Sequence, residues 1–153
     1  MNNTNQLYQI AFSQLYGIGP IRARRILKLL NHPRDFFELS LGALQQITSI
    51  PITQLEKTDR ANALWRAQGQ ISYLSNTNLS YHFITDPTYP ERLKNCPDAP
   101  LGLFYRGTPI HWGKQRFIAV VGTRQQTSYG QKLVADFISA LPKDIVIISG
   151  LAL

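Results

Sequence analysis

Two short runs of consecutive apolar residues set the strongest limit on how this chain can fold. They cover residues 117–121 and 145–148, and a glycine follows each run within two residues. Runs that are apolar on both faces are typical of parallel strands buried inside a sheet. Between them, six residues share one helical face and predict an amphipathic helix: Gly130, Leu133, Val134, Phe137, Ile138 and Leu141. Strand, helix and strand occupy about 33 residues, the size of a βαβ unit.

The chain before residue 79 shows the spacing of helices instead. Apolar side chains recur every three or four residues along residues 7–15 and 26–30. Pro20 stands where the second helix would begin, a position that tolerates the missing N–H. Residues 53–74 predict one longer helix with apolar residues available for packing.

The period changes to that of strands near residue 79. Residues 81–85 and 101–105 predict two strands around a proline-rich loop. We therefore predict an α/β protein with a helical domain at residues 1–78 and an α/β domain at residues 79–153. Because the chain stops directly after its second apolar run, where further helices and strands are expected, we interpret the second domain as truncated.

The net charge favours a polyanionic partner. Sixteen Lys and Arg residues against nine Asp and Glu give a formal charge of +7, which attracts phosphate groups. Cys96 is the only cysteine, and His32, His82 and His111 show no metal-ligand spacing, so we expect no disulfide, metal or cofactor. The amino terminus lacks a signal peptide, and no apolar stretch reaches the ~20 residues that span a bilayer, so we expect a cytoplasmic protein.

Residues 15–27 resemble the helix-hairpin-helix motif. Two glycines let the backbone turn sharply and approach a phosphate, and the N–H groups that open the next helix can donate to phosphate oxygens. Three arginines follow, and no acidic residue occurs before Asp35. The same hairpin is also a common way to pack two helices, and its arginines could form a solvated face. The candidate DNA contacts are Gly17, Gly19, Arg22, Arg24 and Arg25.

A second candidate site lies where the two apolar runs end. Strands joined by a βαβ crossover are parallel, so the turns that follow them emerge at the same edge of the sheet, near a helix N-terminus. Free N–H groups, hydroxyls and a guanidinium suit phosphate. The turn lacks the Gly-x-Gly-x-x-Gly pattern of dinucleotide binding. The predicted anion-binding rim consists of Gly122, Thr123, Arg124, Ser149 and Gly150.

Several segments, taken in this order, resemble the DprA/Smf family of DNA-processing proteins. They lie at residues 86–93, 100–107, 120–130 and 149–152. The resemblance implies a helical helix-hairpin-helix or SAM-like domain followed by an incomplete Rossmann-like domain. It also implies that Arg124 lines a positive DNA pocket, beside phosphate-facing loops that contain Gly122, Thr123, Ser149 and Gly150. The chain departs from the family at Leu153, where the family often has Arg or Lys.

The resemblance implies a single-stranded DNA-binding protein rather than an enzyme. Family members protect incoming strands in natural transformation and help to load a RecA-type recombinase, so both are expected partners; full-length members are expected to form homodimers. Two alternatives stay open. One is a nucleotide-binding enzyme resembling phosphoribohydrolases, which would need a carboxylate such as Asp136 or Asp144. The other is a helical interaction domain with a non-functional α/β remnant.

Overall fold

Helices and two small sheets occur together in this computed structural model, which describes residues 3–108, 110, 112–123 and 125–150. This mixture confirms the predicted α/β class. The helix-hairpin-helix and Rossmann-like assignments stay predictions. The chain divides into two units, Met1–Thr108 and Pro109–Leu153. Within the described residues, no helix has both the length and the apolar character needed to cross a membrane.

Six helices precede the first strand in the described part of the first unit. They are α1 (Asn3–Ser13), α2 (Pro20–Leu29), α3 (Asp35–Glu38), α4 (Leu41–Thr48), α5 (Ile52–Glu56) and α6 (Arg60–Ser75). As predicted, α2 begins at Pro20. The side chain of Ser40 caps α4 by accepting a hydrogen bond from the Ala43 N–H.

The single long helix predicted over residues 53–74 is wrong, because α5 ends at Glu56 and α6 starts afresh at Arg60. Asp59 has φ of 46°, in the left-handed region, and its carboxylate accepts a hydrogen bond from the Asn62 N–H. Asp is a favoured N-cap residue because its carboxylate satisfies one of the free N–H groups of the first turn. The cap therefore begins a new helix at a point where the continuous helical spacing predicted no break.

The core of the first unit forms where α1 packs against α6. The small side chains of Ala63 and Ala67 are fully buried on α6 and let the two helices approach closely. Phe12 and Phe36 meet edge to face, with ring centroids 5.4 Å apart and planes at 84°. Such aromatic pairs add specific geometry to the burial of apolar surface.

Two antiparallel strands complete the first unit. They are β1 (Leu79–Phe83) and β2 (Gly102–Arg106), and the connection between them contains α7 (Glu91–Lys94). Tyr81 is buried, and its hydroxyl donates to the carbonyl of Gln9 at 3.3 Å, which joins the sheet to α1. Burial raises the pKa of Tyr81. The contacts of this sheet place it in the same unit as the helices, Met1–Thr108. The domain boundary predicted near residue 78 rests on the sequence and stays a prediction.

The second unit contains the predicted strand, helix and strand. They are β3 (Arg116–Val120), α8 (Ser128–Ser139) and β4 (Ile145–Ser149), and the two strands pair in parallel. The side chain of Thr127 caps α8 by accepting a hydrogen bond from the Gly130 N–H at 3.1 Å.

The strands of the second unit are less buried than their apolar composition predicts. None of their residues is buried, and Ile148 is 47% exposed. The predicted apolar face of α8 is also exposed, with Phe137 at 48%. One helix and two strands offer too little surface to cover both faces of a sheet, so the runs that suit a buried strand remain partly open in the described residues.

Candidate nucleic-acid interface

The parallel register of β3 and β4 brings two polar loops to one edge of the sheet. Val120 pairs with Ser149, the last residue of β4. Gly122 and Thr123 follow just beyond Val120, and Gly150 follows Ser149. The strand ends therefore emerge side by side, as the sequence predicted. We call these two loops, residues 121–125 and 149–150, the strand-end rim.

The described residues of the first loop of the strand-end rim, 121–123 and 125, are open to solvent. Val121 is 93% exposed, and a Cβ added at Gly122 would meet no atom within 4 Å. Contacts with the described residues therefore do not explain the glycine, and these residues leave space for a ligand to approach the backbone. The hydroxyl of Thr123 donates to the carbonyl of Gln125 at 2.8 Å, which holds the turn.

The described part of the chain does not include every predicted rim residue. Arg124 and residues 151–153, which include the departure at Leu153, lie outside the described residues. The structure does place Gly122, Thr123, Ser149 and Gly150 in exposed positions. Their role in binding phosphate stays a prediction, as does that of Arg124.

An ion pair lies at the opposite end of the same two strands. Arg116 donates from Nη2 to both carboxylate oxygens of Asp144, at 2.8 and 3.0 Å, and from Nε to Oδ2 at 3.1 Å. These hydrogen bonds lower the pKa of Asp144 below its ordinary value. The carboxylate lies at the amino ends of the strands, five residues or roughly 16 Å from Ser149 in the strand-end rim. It is therefore badly placed to act on anything bound there.

One of the two glycines in the hairpin of the first unit has a backbone conformation that other residues rarely adopt. Gly17 has φ of +72°, in the left-handed region that favours glycine. Gly19 is the N-cap of α2, and Pro20 occupies the first turn. Since the Ala23 N–H bonds the carbonyl of Gly19, the N–H groups of Ile21 and Arg22 come before the first bond within the helix.

The three predicted hairpin arginines have different surroundings. Arg24 donates to the carbonyl oxygens of Cys96 and Pro97, in the connection between the strands of the first unit. Arg22 is exposed and makes only a long contact of 3.5 Å with Oε1 of Gln54. Arg25 is also exposed, on the same helix. The structure therefore gives Arg24 a packing role that the sequence did not indicate.

A small cleft lies between the hairpin and α5. It has a volume of about 120 Å³, and the residues that line it include Tyr16, Gly17, Arg22, Ile50, Gln54 and Lys57. We call it the hairpin cleft. Sequence reasoning found Gly17 and Arg22 but missed Tyr16 and Lys57. No local signal connects Lys57 to a hairpin 40 residues earlier, because the contact depends on how α5 packs.

Comparisons with known proteins match this chain either over nearly its whole length or over about half of it. The family model described as DNA recombination-mediator protein A matches residues 80–153. Protein Smf of Synechocystis sp. is 27% identical over 156 residues, or 99% of this chain. DNA processing protein DprA of Streptococcus pneumoniae is 42% identical over 69 residues, and that of Bacillus subtilis 40% over 70 residues. Residues 80–153 of the chain belong to the DprA/Smf family.

The DprA/Smf relatives are much longer than the matched region. The match spans 39% of the Smf protein and 24% of each DprA protein. The strand-end rim lies inside the region that the family model covers, whereas the hairpin cleft lies before it. No solved structure matches the chain at a significant level.

Among the described residues, no group of three or more His, Cys, Asp or Glu side chains lies close enough to hold a metal ion. The strand-end rim itself offers backbone N–H groups and the hydroxyls of Thr123 and Ser149, in a unit with a net positive charge. Residues 109–153 contain five Lys and Arg and two Asp and Glu, a net charge of 5 − 2 = +3. These groups suit an anion.

Proposed function

We propose that this chain is a non-catalytic DNA-processing protein that binds single-stranded DNA at the strand-end rim. Backbone phosphates would lie against Gly122, Thr123, Ser149 and Gly150, with the guanidinium of Arg124 paired to a phosphate. Two relatives carry the name DNA processing protein, which supports DNA as the ligand. The family model, described as a recombination mediator, covers the whole rim.

The observation that carries the proposal is the pairing of Val120 with Ser149. This register places an exposed Gly-Thr turn and an exposed Ser-Gly turn next to each other at the carboxyl ends of parallel strands. Open α/β sheets bind ligands at that edge, where N–H groups of turns and helix starts are available. A strand of phosphodiesters offers the matching series of anionic oxygens.

The surroundings of the two candidate acids support binding without catalysis. Asp144 is paired with Arg116 at the far end of the strands. Asp136 is exposed on the last part of α8, whereas the rim lies beside the start of that helix. Cleavage of an N-glycosidic bond would need a carboxylate beside the sugar. Neither residue is placed to supply one at the rim.

The wider role that we propose follows the family resemblance. The protein would protect incoming single strands in natural transformation and help to load a RecA-type recombinase onto them. It would act in the cytoplasm, where both partners occur; homodimers are expected for the full-length members of the family.

Titration of a fluorescently labelled single-stranded oligonucleotide at two salt concentrations tests the proposed function. Contact with about 3–5 phosphates should make log K fall with log salt at a slope of about −2 to −3.5. Unlabelled single strands should compete better than unlabelled duplex. A shallow slope, or equal competition by duplex, would contradict the proposal.

Two substitutions locate the contact. Arg124→Gln should weaken binding by about tenfold at low salt, because a charge-assisted bond to phosphate is lost. Lys143→Gln is the matched control, since it removes the same charge from an exposed residue that directly precedes Asp144, at the other end of the strands. Gly122→Val should also weaken binding without lowering thermal stability, because its side chain enters open space. Equal effects of Arg124→Gln and Lys143→Gln would remove the rim from the proposal.

A further inference from the structure

We propose that the hairpin cleft is a second contact for single-stranded DNA, independent of the strand-end rim. One phosphodiester group would lie between Arg22 and Lys57, and an adjoining base would stack on Tyr16. The choice of DNA as the polymer rests on the proposed function. The existence of the site rests on the geometry of the first unit alone.

The size and charge of the cleft suit one small anionic group. Its volume of about 120 Å³ is larger than a single water molecule needs. Both Arg22 and Lys57 are exposed at its walls, and none of the described residues that line it is acidic. Among the described residues, Arg22 makes only a 3.5 Å contact with Gln54, so its guanidinium is available to pair with a phosphate.

An exposed aromatic ring distinguishes this cleft from a simple anion site. Tyr16 lines it and is 72% exposed, which leaves its ring open to solvent. Nucleic-acid bases that are not paired stack on such rings, and each stacked base strengthens binding. A base in a duplex already has neighbours on both faces. An aromatic ring beside a cationic cleft therefore favours a single strand.

The basic surface continues along α2 away from the cleft. Arg22, Arg25 and Lys28 are spaced three residues apart, so they lie along one side of the helix and are all exposed. They extend over roughly 9 Å of helix axis at ~1.5 Å per residue. Arg24 does not belong to this row, because its guanidinium is bound to the backbone at Cys96. Further phosphates of the same strand would contact Arg25 and Lys28.

The test compares matched variants of the full chain by titration with a labelled oligothymidylate at several salt concentrations. The double variant Arg22→Gln with Lys57→Gln should lower affinity by roughly five- to tenfold at low salt and flatten the salt slope by about 0.7, the value for one phosphate contact. The control pair Lys94→Gln with Arg106→Gln removes the same charge from exposed residues elsewhere in the unit. If the two pairs have equal effects, only net charge matters and the inference fails.

A second pair of variants tests the stacking. Tyr16→Leu should lower affinity by at least about fivefold without changing the salt slope, because stacking releases no counterions. Tyr73→Leu is the control, since Tyr73 is 62% exposed on α6 and does not line the cleft. If Tyr16→Leu has no effect while Arg22→Gln with Lys57→Gln weakens duplex and single strands equally, the assignment to single strands is overturned.

Combining these variants with Arg124→Gln separates this inference from the proposed function. If the cleft variants weaken binding and Arg124→Gln does not, the inference holds and the rim proposal fails. If Arg124→Gln alone weakens binding, the rim proposal holds and the cleft inference fails. If a folded chain binds DNA at neither site, both the rim proposal and the cleft inference are overturned.

Discussion

The guanidinium of Arg24 is bound to the backbone of Cys96, a residue 72 positions later in the chain. A second, longer hydrogen bond of 3.4 Å joins the same nitrogen to the carbonyl of Pro97. Together they connect α2 to the segment between β1 and β2. A side chain that the sequence groups with possible DNA contacts therefore helps to hold the first unit together.

Replacing Arg24 should destabilise the first unit, whereas replacing its neighbour should not. Arg24→Gln leaves two carbonyl groups without their charged donor, and we expect the free energy of unfolding to fall by roughly 1–2 kcal/mol. Arg25→Gln removes the same charge from an exposed position and should stay within about 0.5 kcal/mol of the parent. Urea unfolding followed by circular dichroism measures both. Equal stability of the two variants would show that the Arg24 bonds contribute nothing.

The elements of the second unit could be predicted from local pattern alone. Apolar runs at residues 117–121 and 145–148 became β3 and β4 with shifts of one residue at their ends, and the six apolar positions between them lie on or next to α8. The edge at which the loops meet also followed, because a parallel pair puts both carboxyl ends together. These features depend on spacing and chirality, which a sequence carries directly.

Features that depend on tertiary contact could not be predicted. The buried positions of α6 include Ala63 and Ala67, whose small side chains give a weak apolar signal although they face α1. The break before α6 depends on a cap at Asp59, within a run that otherwise has helical spacing. The hairpin cleft needs Lys57 from α5, and the packing of α5 cannot be derived from residues 15–27.

Replacing either of two glycines with alanine should change the free energy of unfolding, in opposite directions. A Cβ at Gly102 would overlap the ring of Tyr81, so Gly102→Ala should lower the free energy of unfolding by about 1–3 kcal/mol. Gly69 lies inside α6 with no atom within 4 Å of an added Cβ, so Gly69→Ala should raise it by about 0.5–1 kcal/mol. Thermal and urea unfolding provide the measurement. The loss at Gly102 should shrink in a Tyr81→Leu background; an unchanged loss would place the cause elsewhere.

Arg60 should contribute more to stability than other arginines of the first unit. Its Nη1 lies 3.1, 3.4 and 2.8 Å from the carbonyl oxygens of Phe36, Phe37 and Leu39, at the end of the short helix α3. Arg60→Lys keeps the charge but loses the planar fork, and we expect a loss of roughly 1–3 kcal/mol.

Arg66→Lys is the comparison for Arg60, because Arg66 is exposed and donates to the single carbonyl of Gln14 at 3.0 Å. Its replacement should cost less than about 1 kcal/mol. Chemical unfolding of the two lysine variants under the same conditions gives the difference. A larger loss at Arg66 than at Arg60 would contradict the role given to the α3 carbonyls.

The ion pair of Arg116 and Asp144 should make the second unit sensitive to acid. Hydrogen bonds from Arg116 hold the pKa of Asp144 below its ordinary value of 3.8. A carboxyl with a lowered pKa in the folded state stabilises that state above its unfolded pKa, and this contribution disappears as the pH falls through the folded pKa. The stability of the parent relative to Asp144→Asn should therefore be constant at neutral pH and should converge below about pH 4. Nuclear magnetic resonance titration of the Asp144 carboxyl, in the parent and in Arg116→Gln, measures the cause directly. The pKa should rise in Arg116→Gln because the donor is lost; an unchanged pKa would mean that the fork does not persist in solution.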